Sequence, residues 1–324
     1  MNYIVFDLEW NQCPKGKARE NPRMPFEIIE IGAIKLDENR KEIGRFSEMV
    51  RPLVYPTLHY RTKEITSLDQ NQLRRSRTFC PVVRDFLKWC GDDCKFVTWG
   101  NLDLTELQQN MDYYRLANPF PKPLFYCDLQ KMFSILYFDG KSRMALEEAV
   151  EYLNIPKDIE FHRAFDDTYY TAEVMKKMDF DRVKEYESID YHRLPSNQKE
   201  EVLRHFRTYT KYVSQPFPAR EEAFTNKRVT AMRCPKCGLA LRKKINWFSS
   251  AGNQYLALSV CPVHGAVKGK LRVKKATDNN IFMVKTIKLA DENAVAKITE
   301  RQDQIRRRRK ERRVRQKHET DGEG

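Results

Sequence analysis

The stretch FHRAFDDTYYTAEVM, residues 161–175, combines a histidine, an acidic pair and the beginning of a helix-forming segment. His162 precedes Asp167 by five positions. A carboxylate is favourable in the first turn of a helix, where the backbone amides have no partners within the helix. We therefore predict a helix over 166–178 that presents Asp167 in its first turn, with His162 on the loop before it.

Two further acidic motifs lie far upstream of this stretch. The segment YIVFDLEW has strand character, and since side chains alternate along a strand, Asp7 and Glu9 lie on the same face of it. Asp103 follows the apolar run FVTWG and stands at a predicted helix start. Mg²⁺ and Mn²⁺ prefer carboxylate oxygens and bound water. Four carboxylates, each beside an apolar element, therefore indicate a site for two such cations.

These residues are of the types needed to cut a phosphodiester bond. Two divalent cations about 3.5–4 Å apart activate a water and stabilise the leaving oxygen of an in-line cleavage. We expect Asp7 and Glu9 to bind both cations, with Asp103 and Asp167 presented from helices at the edge of the sheet. His162 would accept the proton of the attacking water, because an imidazole pKa of about 6.5 suits a base at neutral pH.

The order of the predicted elements indicates the fold class of the first 180 residues. Strand-like segments at 3–8, 26–37 and 43–50 come first, and helical and strand-like segments alternate after them. This order is typical of an α/β layer fold with a mixed sheet and flanking helices.

Charge divides the chain into two unlike halves. Residues 1–180 contain 26 Lys and Arg against 28 Asp and Glu, whereas residues 181–324 contain 33 against 17. The net charge of +14 therefore originates in the second half. Such an excess predicts an anionic partner, with nucleic acid the first candidate and a membrane surface the second.

Length and composition narrow the class of protein. A chain of 324 residues with 41% hydrophobic residues fits about two domains. No apolar run reaches the roughly 18 residues of a membrane span, and no basic and apolar leader opens the chain. We therefore expect a cytoplasmic protein without a membrane partner. Its eight cysteines are then buried thiols or metal ligands and not a disulfide framework.

The second half divides into three predicted parts after a first domain over 1–180. Residues 181–225 are polar and are predicted to form a helical linker or extension. Residues 226–290 contain strand-like runs such as LALSV and IFMVKTI and form a second compact unit. Residues 291–324 are charged and lack an apolar face wide enough for a core, so we expect a basic tail that is a solvated helix or disordered.

A C-x2-C…C-x2-H motif indicates a metal site within 226–290. The expected ligands are Cys234, Cys237, Cys261 and His264. A glycine follows each ligand pair and permits the tight turn that directs backbone amides toward sulfur. A Cys3His set with all four positions filled is typical of one structural zinc ion, here in a ribbon of short strands.

Basic residues surround this motif, with aromatic residues among them. They are Lys227, Arg228, Arg233, Arg242, Lys243, Lys244, Lys268, Lys270, Arg272, Lys274 and Lys275, interleaved with Trp247, Phe248 and Tyr255. This mixture is typical of a nucleic-acid surface, although Trp247 fits the core of a small domain equally well. The arginine run at 306–309 resembles a nuclear import signal, but such runs are more often phosphate-binding tails.

Over residues 1–180 the motifs and their order resemble the DEDDh family of 3′–5′ exonucleases. The resemblance rests on FDLEW, EIIEIGAIKLD, WGNLD, ALEEAVEYLNI and HRAFDD. The superfamily includes proofreading exonucleases and RNase T, and the motifs are most similar to its branch of RNA 3′-end exonucleases and KapD-like proteins. The resemblance implies an RNase H-like mixed sheet with flanking helices.

The resemblance also implies roles for individual residues. In the family, the positions that hold the two Mg²⁺ or Mn²⁺ ions match Asp7, Glu9, Asp103 and Asp167, and the general base matches His162. The sister DEDDy group carries a tyrosine where this chain reads Arg-Ala, which favours the histidine form.

Substrate contacts are expected next to the first motif. Trp10 and Asn11 follow it, where relatives place residues against the terminal nucleotide. A tryptophan there would stack on a base with about 1–3 kcal/mol, and a core role for Trp10 is equally consistent with the sequence. Residues 66–68 read TSL where the family carries Thr-Gly-Ile, a difference that concerns nucleotide contacts and not the metal site.

Together these features predict a metal-dependent 3′–5′ exonuclease. It would act on single-stranded or frayed 3′ ends, of RNA more than DNA, and release nucleoside monophosphates. The zinc ribbon and the basic tail would hold the substrate. The alternative is a nucleic-acid-binding or ribosome-associated factor whose nuclease fold has little turnover, and the intact acidic quartet favours the enzyme.

Overall fold

The computed structural model describes residues 1–276 and 279–321 of the chain. They form two compact units, which divide between Arg193 and Leu194. Among the described residues there is no helix with both the length and the apolar character to cross a membrane. The last residues of the predicted tail, 322–324, lie outside the described part.

A seven-stranded mixed sheet forms the centre of the first unit. Its strands are β1 Asn2–Gln12, β2 Phe26–Leu36, β3 Glu42–Arg51, β4 Arg77–Thr78, β5 Cys94–Thr98, β6 Phe125–Asp128 and β7 Ser188–Ile189. They lie in the order β4-β3-β2-β1-β5-β6-β7. The long strands β1, β2 and β3 pair antiparallel, while β1 with β5 and β5 with β6 are parallel pairs.

Seven helices flank this sheet. They are α1 Tyr60–Thr66, α2 Gln70–Arg75, α3 Phe79–Cys90, α4 Leu102–Tyr113, α5 Leu129–Tyr137, α6 Leu146–Tyr152 and α7 Ala164–Lys177. Helix α3 illustrates why they form: Phe79, Val82, Val83 and Phe86 recur at helical spacing and are all buried against the sheet. The predicted α/β fold with a mixed sheet and flanking helices is confirmed.

The central strands are covered on both faces, which explains their composition. Ile4, Val5 and Phe6 are consecutive in β1 and all three are buried. A strand buried on both sides reads as a continuous apolar run and not as an alternation. The polar residues that interrupt such a run, Asp7 and Glu9, are therefore exceptions that require a partner or a function.

The second unit is built on a six-stranded antiparallel sheet. Its strands are β8 Val202–His205, β9 Tyr209–Val213, β12 Lys243–Ala251, β13 Gln254–Cys261, β14 Gly265–Lys275 and β15 Ile281–Leu289, in the order β12-β13-β14-β15-β9-β8. A small two-stranded sheet pairs β10 Met232–Arg233 with β11 Ala240–Leu241. The helices are α8 Arg220–Thr225, α9 Lys227–Thr230 and α10 Glu292–Asp321.

The prediction of a helical linker over 181–225 is wrong. Strand β7 belongs to the first sheet, whereas β8 and β9 belong to the second sheet, where β8 is an edge strand and β9 lies between β8 and β15, so this segment is divided between the two units. In β9, Thr210 and Val213 are buried and pair with Ile287 and Val284 of β15. The strand partner lies far downstream, and the local polar composition gave no sign of it.

Trp247 takes the core position and not the surface one. It packs against buried residues of the second unit, and its indole Nε1 donates to the Thr230 carbonyl at 2.9 Å. Gly269 makes room for it, since a Cβ there would lie 2.5 Å from the Trp247 ring and 2.6 Å from the Met232 sulfur. A tryptophan with a satisfied N–H fills this small core.

Candidate metal centres

One glycine decides where the acidic residues of the first unit meet. Gly32 of β2 pairs directly with Asp7 of β1. A Cβ at Gly32 would lie 2.3 Å from the Ala164 carbonyl carbon and from the Phe165 nitrogen, so the first turn of α7 rests on the bare backbone of β2. Thr168 completes this contact, because its hydroxyl donates to the Gly32 carbonyl at 2.9 Å. The first turn of α7 is thereby fixed over the strand pair that carries Asp7.

Three of the four predicted carboxylates come together at this contact. One carboxylate oxygen from each of Asp7, Glu9 and Asp167 lies within 4.8 Å of the other two. Asp103 lies outside this group, at the beginning of α4, and only 6% of its surface is exposed. Its charge nevertheless acts on Asp7, so the fourth carboxylate borders the other three.

The electrostatics of the cluster favour a bound cation. Burial, followed by the charges of Asp103, Glu9 and Asp167, raises the pKa of Asp7 well above its usual range. Burial and the Asp167 charge raise the pKa of Glu9 to about 8. Burial also raises the pKa of Asp103 to about 7, against the effect of backbone hydrogen bonds at Asp103 and Leu8.

Carboxylates with such pKa values hold protons near neutral pH unless a positive charge replaces them. Oxygen donors packed this closely fit hard divalent cations, and Asp7, Glu9 and Asp167 would hold them with Asp103 alongside.

His162 lies at the rim of the cluster with its side chain exposed. Its backbone N–H donates to the Asp167 carboxylate at 3.3 Å, and its φ of 73° is in the left-handed region. This conformation is uncommon for a residue other than glycine and persists where the surrounding structure fixes it. The predicted base and the predicted ligand are therefore neighbours in space.

An ion pair that the sequence did not reveal fixes this loop. Arg163 donates two hydrogen bonds to the buried carboxylate of Glu30, at 3.0 and 2.7 Å. Glu30 stands opposite Glu9 in the β1–β2 register. The bidentate pair thus attaches the residue next to His162 to the sheet. The available signal was an acidic residue inside the apolar strand FEIIEIGAIKL, which is hard to bury without a partner.

Asn11 does not contact solvent, so the prediction that it touches the substrate is wrong. It is fully buried, and its amide donates to the carbonyls of Tyr55 and Thr57 at 2.9 Å and accepts from the His59 N–H at 2.9 Å. All of these bonds hold the loop before α1. Trp10 is half-buried beside Phe26, and a contact from it to a nucleotide stays a prediction.

The second unit brings all four members of the Cys3His motif together. Ligand atoms of Cys234, Cys237, Cys261 and His264 lie within 4.8 Å of one another. The Cys237 and Cys261 sulfurs are 3.7 Å apart, and His264 Nδ1 is 3.6 Å from the sulfurs of Cys234 and Cys261. A tetrahedral zinc with Zn–S bonds of about 2.3 Å and a Zn–N bond of about 2.0–2.1 Å separates its ligand atoms by about 3.6–3.8 Å. The geometry is therefore compatible with a zinc ribbon.

The protonation of Cys261 agrees with a metal-ligand role. Burial opposes ionisation of this thiol, but hydrogen bonds from the backbone and ring of His264 outweigh it and lower the Cys261 pKa to about 6. A thiolate at neutral pH is the form that binds metal. The glycines after each ligand pair, Gly238 and Gly265, have φ of 72° and 75°, as the predicted tight turns require.

Comparison with known proteins identifies the first unit. The family model described as exonuclease, RNase T type, matches residues 4–175. The probable 3′–5′ exonuclease KapD of Bacillus subtilis is 27% identical over 180 residues, which is 55% of this chain and 85% of KapD. The PolC-type DNA polymerase III of Clostridium perfringens is 31% identical over 185 residues, but the matched part is only 11% of the polymerase.

The human 3′–5′ exoribonuclease 1 is 26% identical over 187 residues, covering 55% of this chain and 52% of the human protein. Among solved structures, the nuclease domain of 3′hExo, a DEDDh family member bound to rAMP, has 21% identity and a TM-score of 0.49, over 59% of this chain and 96% of that domain. Since the family model covers more than half of the sequence, the chain belongs to the RNase T exonuclease family, whose DEDDh motifs it carries.

Proposed function

We propose that the protein is a metal-dependent 3′–5′ exonuclease that hydrolyses phosphodiester bonds at single-stranded 3′ ends and releases nucleoside 5′-monophosphates. The observation that carries the proposal is the convergence of Asp7, Glu9 and Asp167, with Asp103 and His162 at their border. These residues come from distant parts of the chain and meet in one place, at a cost in electrostatic repulsion that a purely structural site would not require.

Each side chain has a defined task in this reaction. Two Mg²⁺ or Mn²⁺ ions, when bound, supply an activated water and charge stabilisation at the leaving oxygen. Asp7, Glu9, Asp103 and Asp167 would hold those ions. His162, attached through its backbone to Asp167, accepts the proton of the attacking water from the open side of the cluster. The Glu30–Arg163 pair keeps the histidine loop in place.

The second unit supports a nucleic-acid partner. Along β14, Val267, Leu271 and Val273 are buried, whereas Lys268, Lys270 and Arg272 alternate with them on the other face. Lys288 of β15 pairs with Lys268 and extends this cationic face to the next strand. Rows of cations bind phosphates without regard to base sequence. We propose that this unit, held by one structural zinc ion, binds the substrate strand.

We further propose that RNA is preferred to DNA. The support is the similarity to the human 3′–5′ exoribonuclease 1. The similarity to the PolC-type DNA polymerase III supports the opposite preference, for DNA. Purified protein given matched 5′-labelled RNA and DNA strands with Mg²⁺ or Mn²⁺ tests both the reaction and the preference. Faster shortening of RNA from its 3′ end is expected, and faster shortening of DNA would contradict the preference.

The variants Asp7→Ala and His162→Ala test the site itself. Both are expected to lose the shortening reaction while they still bind the labelled strands. Unchanged activity in both variants would refute the exonuclease proposal. A parent protein that binds these strands without shortening them would favour the alternative, a nucleic-acid-binding or ribosome-associated factor, for which the excess of basic residues in the second half is the supporting observation.

A further inference from the structure

Glu106 lies on the side of α4 that faces the acidic cluster. It follows Asp103 by three positions, so the two side chains are neighbours on one side of the helix. The same side carries Asn110, whose amide accepts from the Ile28 N–H at 3.1 Å and donates to the Phe26 carbonyl at 2.9 Å. This side of α4 therefore rests on β2, beside the irregularity at which the β1–β2 register shifts after Glu9.

One oxygen of the Glu106 carboxylate, Oε2, is buried without a partner among the described residues. Only 6% of the residue is exposed, and its Oε2 atom is inaccessible to solvent and makes no hydrogen bond to any described residue. Two other buried acids of the same unit are fully engaged. Glu27 accepts from the backbone amides of the loop at 53–55, and Glu30 accepts from Arg163.

An unsatisfied buried carboxylate is costly, and in native proteins it commonly indicates a bound water or ion. The group that acts on Glu106 is Asp103, whose charge adds to the effect of burial on the Glu106 carboxyl. Asp103 is also the predicted metal ligand that stands apart from the close group of Asp7, Glu9 and Asp167. A cation at Asp103 therefore has fewer carboxylates around it and depends more on bound water.

We propose that Glu106 is a fifth acidic residue of the cation site, where its Oε2 accepts a hydrogen bond from a water bound to the cation at Asp103. Mg²⁺ and Mn²⁺ keep several waters when bound to proteins, and buried acceptors orient these waters. This role rests on the proposed two-cation site. It deepens that proposal by assigning a residue outside the four-carboxylate motif to cation affinity.

Binding of Mn²⁺ alone to the full chain, without substrate, tests this role. Free Mn²⁺ is measured by electron paramagnetic resonance for the parent, Glu106→Gln and Glu106→Leu, with the exposed Glu38→Gln as the control for loss of one charge. We expect Glu106→Leu to weaken one of two Mn²⁺ sites by about 10-fold or more, Glu106→Gln to weaken it less, and Glu38→Gln to leave it unchanged.

The experiment separates this inference from the proposed function. Asp7→Asn is expected to abolish Mn²⁺ binding at the cluster, and an Asp7→Asn protein that still binds two Mn²⁺ ions with the parent affinity would show that the cluster is not the cation site. If Asp7→Asn loses binding while both Glu106 variants keep the parent isotherm, only the role of Glu106 is refuted.

Thermal unfolding in EDTA shows whether the Glu106 variants are folded and how stable they are without metal. Removal of an unpaired buried carboxylate should leave the melting temperature of both Glu106 variants equal to or above that of the parent. If Glu106 serves only to support α4, the variants would melt lower and keep full Mn²⁺ affinity, which would overturn the proposal. Water-proton relaxation of the bound Mn²⁺ gives a second measurement, since loss of Oε2 should free a bound water to exchange faster.

Discussion

The two candidate metal centres assemble their ligands in opposite ways. In the first unit the carboxylates come from one strand, β1, and two helices, α4 and α7, and they span the chain from Asp7 to Asp167. In the second unit two short turns between Cys234 and His264 supply every ligand. The first centre is a product of a packed α/β core, whereas the second is a local motif that its metal would hold in shape. Loss of metal should therefore affect function in the first unit and structure in the second.

The largest expected effect follows from breaking the carboxylate centre at α7. Asp167→Asn should lower exonuclease activity by at least about 100-fold, since charge stabilisation by the cations contributes several kcal/mol to the rate. The matched control is Asp166→Asn, one position earlier, which should change the rate by less than about 3-fold. Hydrolysis of a 5′-labelled strand measures both. Equal losses in the two variants would contradict the assignment of Asp167.

Loss of a zinc ligand should affect the second unit and leave the first unit intact. Cys261→Ser is expected to bind less than one zinc per chain and to lower the melting temperature of the second unit. Because the family site lies in the first unit, hydrolysis of a very short oligonucleotide should persist. Metal analysis and calorimetry check these outcomes, with Cys80→Ser as the control thiol. A stoichiometric zinc content in Cys261→Ser would contradict the Cys3His assignment.

A smaller effect is expected from the packing that aligns the first centre. Gly32→Ala introduces a Cβ 2.3 Å from the backbone of α7, so the helix must move. We expect a loss of about 1–3 kcal/mol in the free energy of unfolding and reduced Mn²⁺ affinity. Gly44→Ala on the neighbouring strand is the control, because its nearest contact would be an ordinary 3.5 Å to Trp89. Urea unfolding measures both variants, and equal stabilities would show that α7 is not held by this contact.

The smallest effect is a pH dependence that distinguishes the two centres. The pKa values of Glu9 and Asp103 rise on folding to about 8 and about 7, so the metal-free folded state binds more protons than the unfolded chain between about pH 4 and pH 8. The stability that these groups contribute in their protonated form is present below about pH 4 and is lost as the pH rises toward 8.

In EDTA, therefore, the melting temperature of the first unit should fall by a few degrees from pH 5 to pH 8, and Mg²⁺ should restore it most at the higher pH. Glu9→Gln should flatten this dependence. The zinc centre should behave differently, because its thiols bind metal only when deprotonated, so that acid weakens zinc binding there. If the parent and the Glu9→Gln variant had identical profiles of melting temperature against pH, the proposed link between Glu9 protonation and stability would be contradicted.

Much of this molecule was accessible from its sequence because the signals are local. Strand periodicity and apolar runs predicted the order of strands and helices in the α/β fold. The C-x2-C…C-x2-H spacing predicted the Cys3His set, and the DEDDh motifs indicated the family. Local patterns failed at 181–225, where β9 is a strand because β15 lies beside it. They also failed at Asn11, whose position next to the acidic motif concealed that its amide is used entirely by the backbone of the loop before α1.

The sequence by itself determined which residue types are present and which short motifs they form, since helices, turns and ligand pairs depend on neighbours in the chain. The tertiary structure decided which of those side chains meet. Glycine at position 32 lets α7 pack directly on β2, an arginine pairs with Glu30, and the Oε2 atom of Glu106 is buried without a partner among the described residues. These outcomes depend on close packing between residues 82 or more positions apart, contacts that no pattern of adjacent residues encodes.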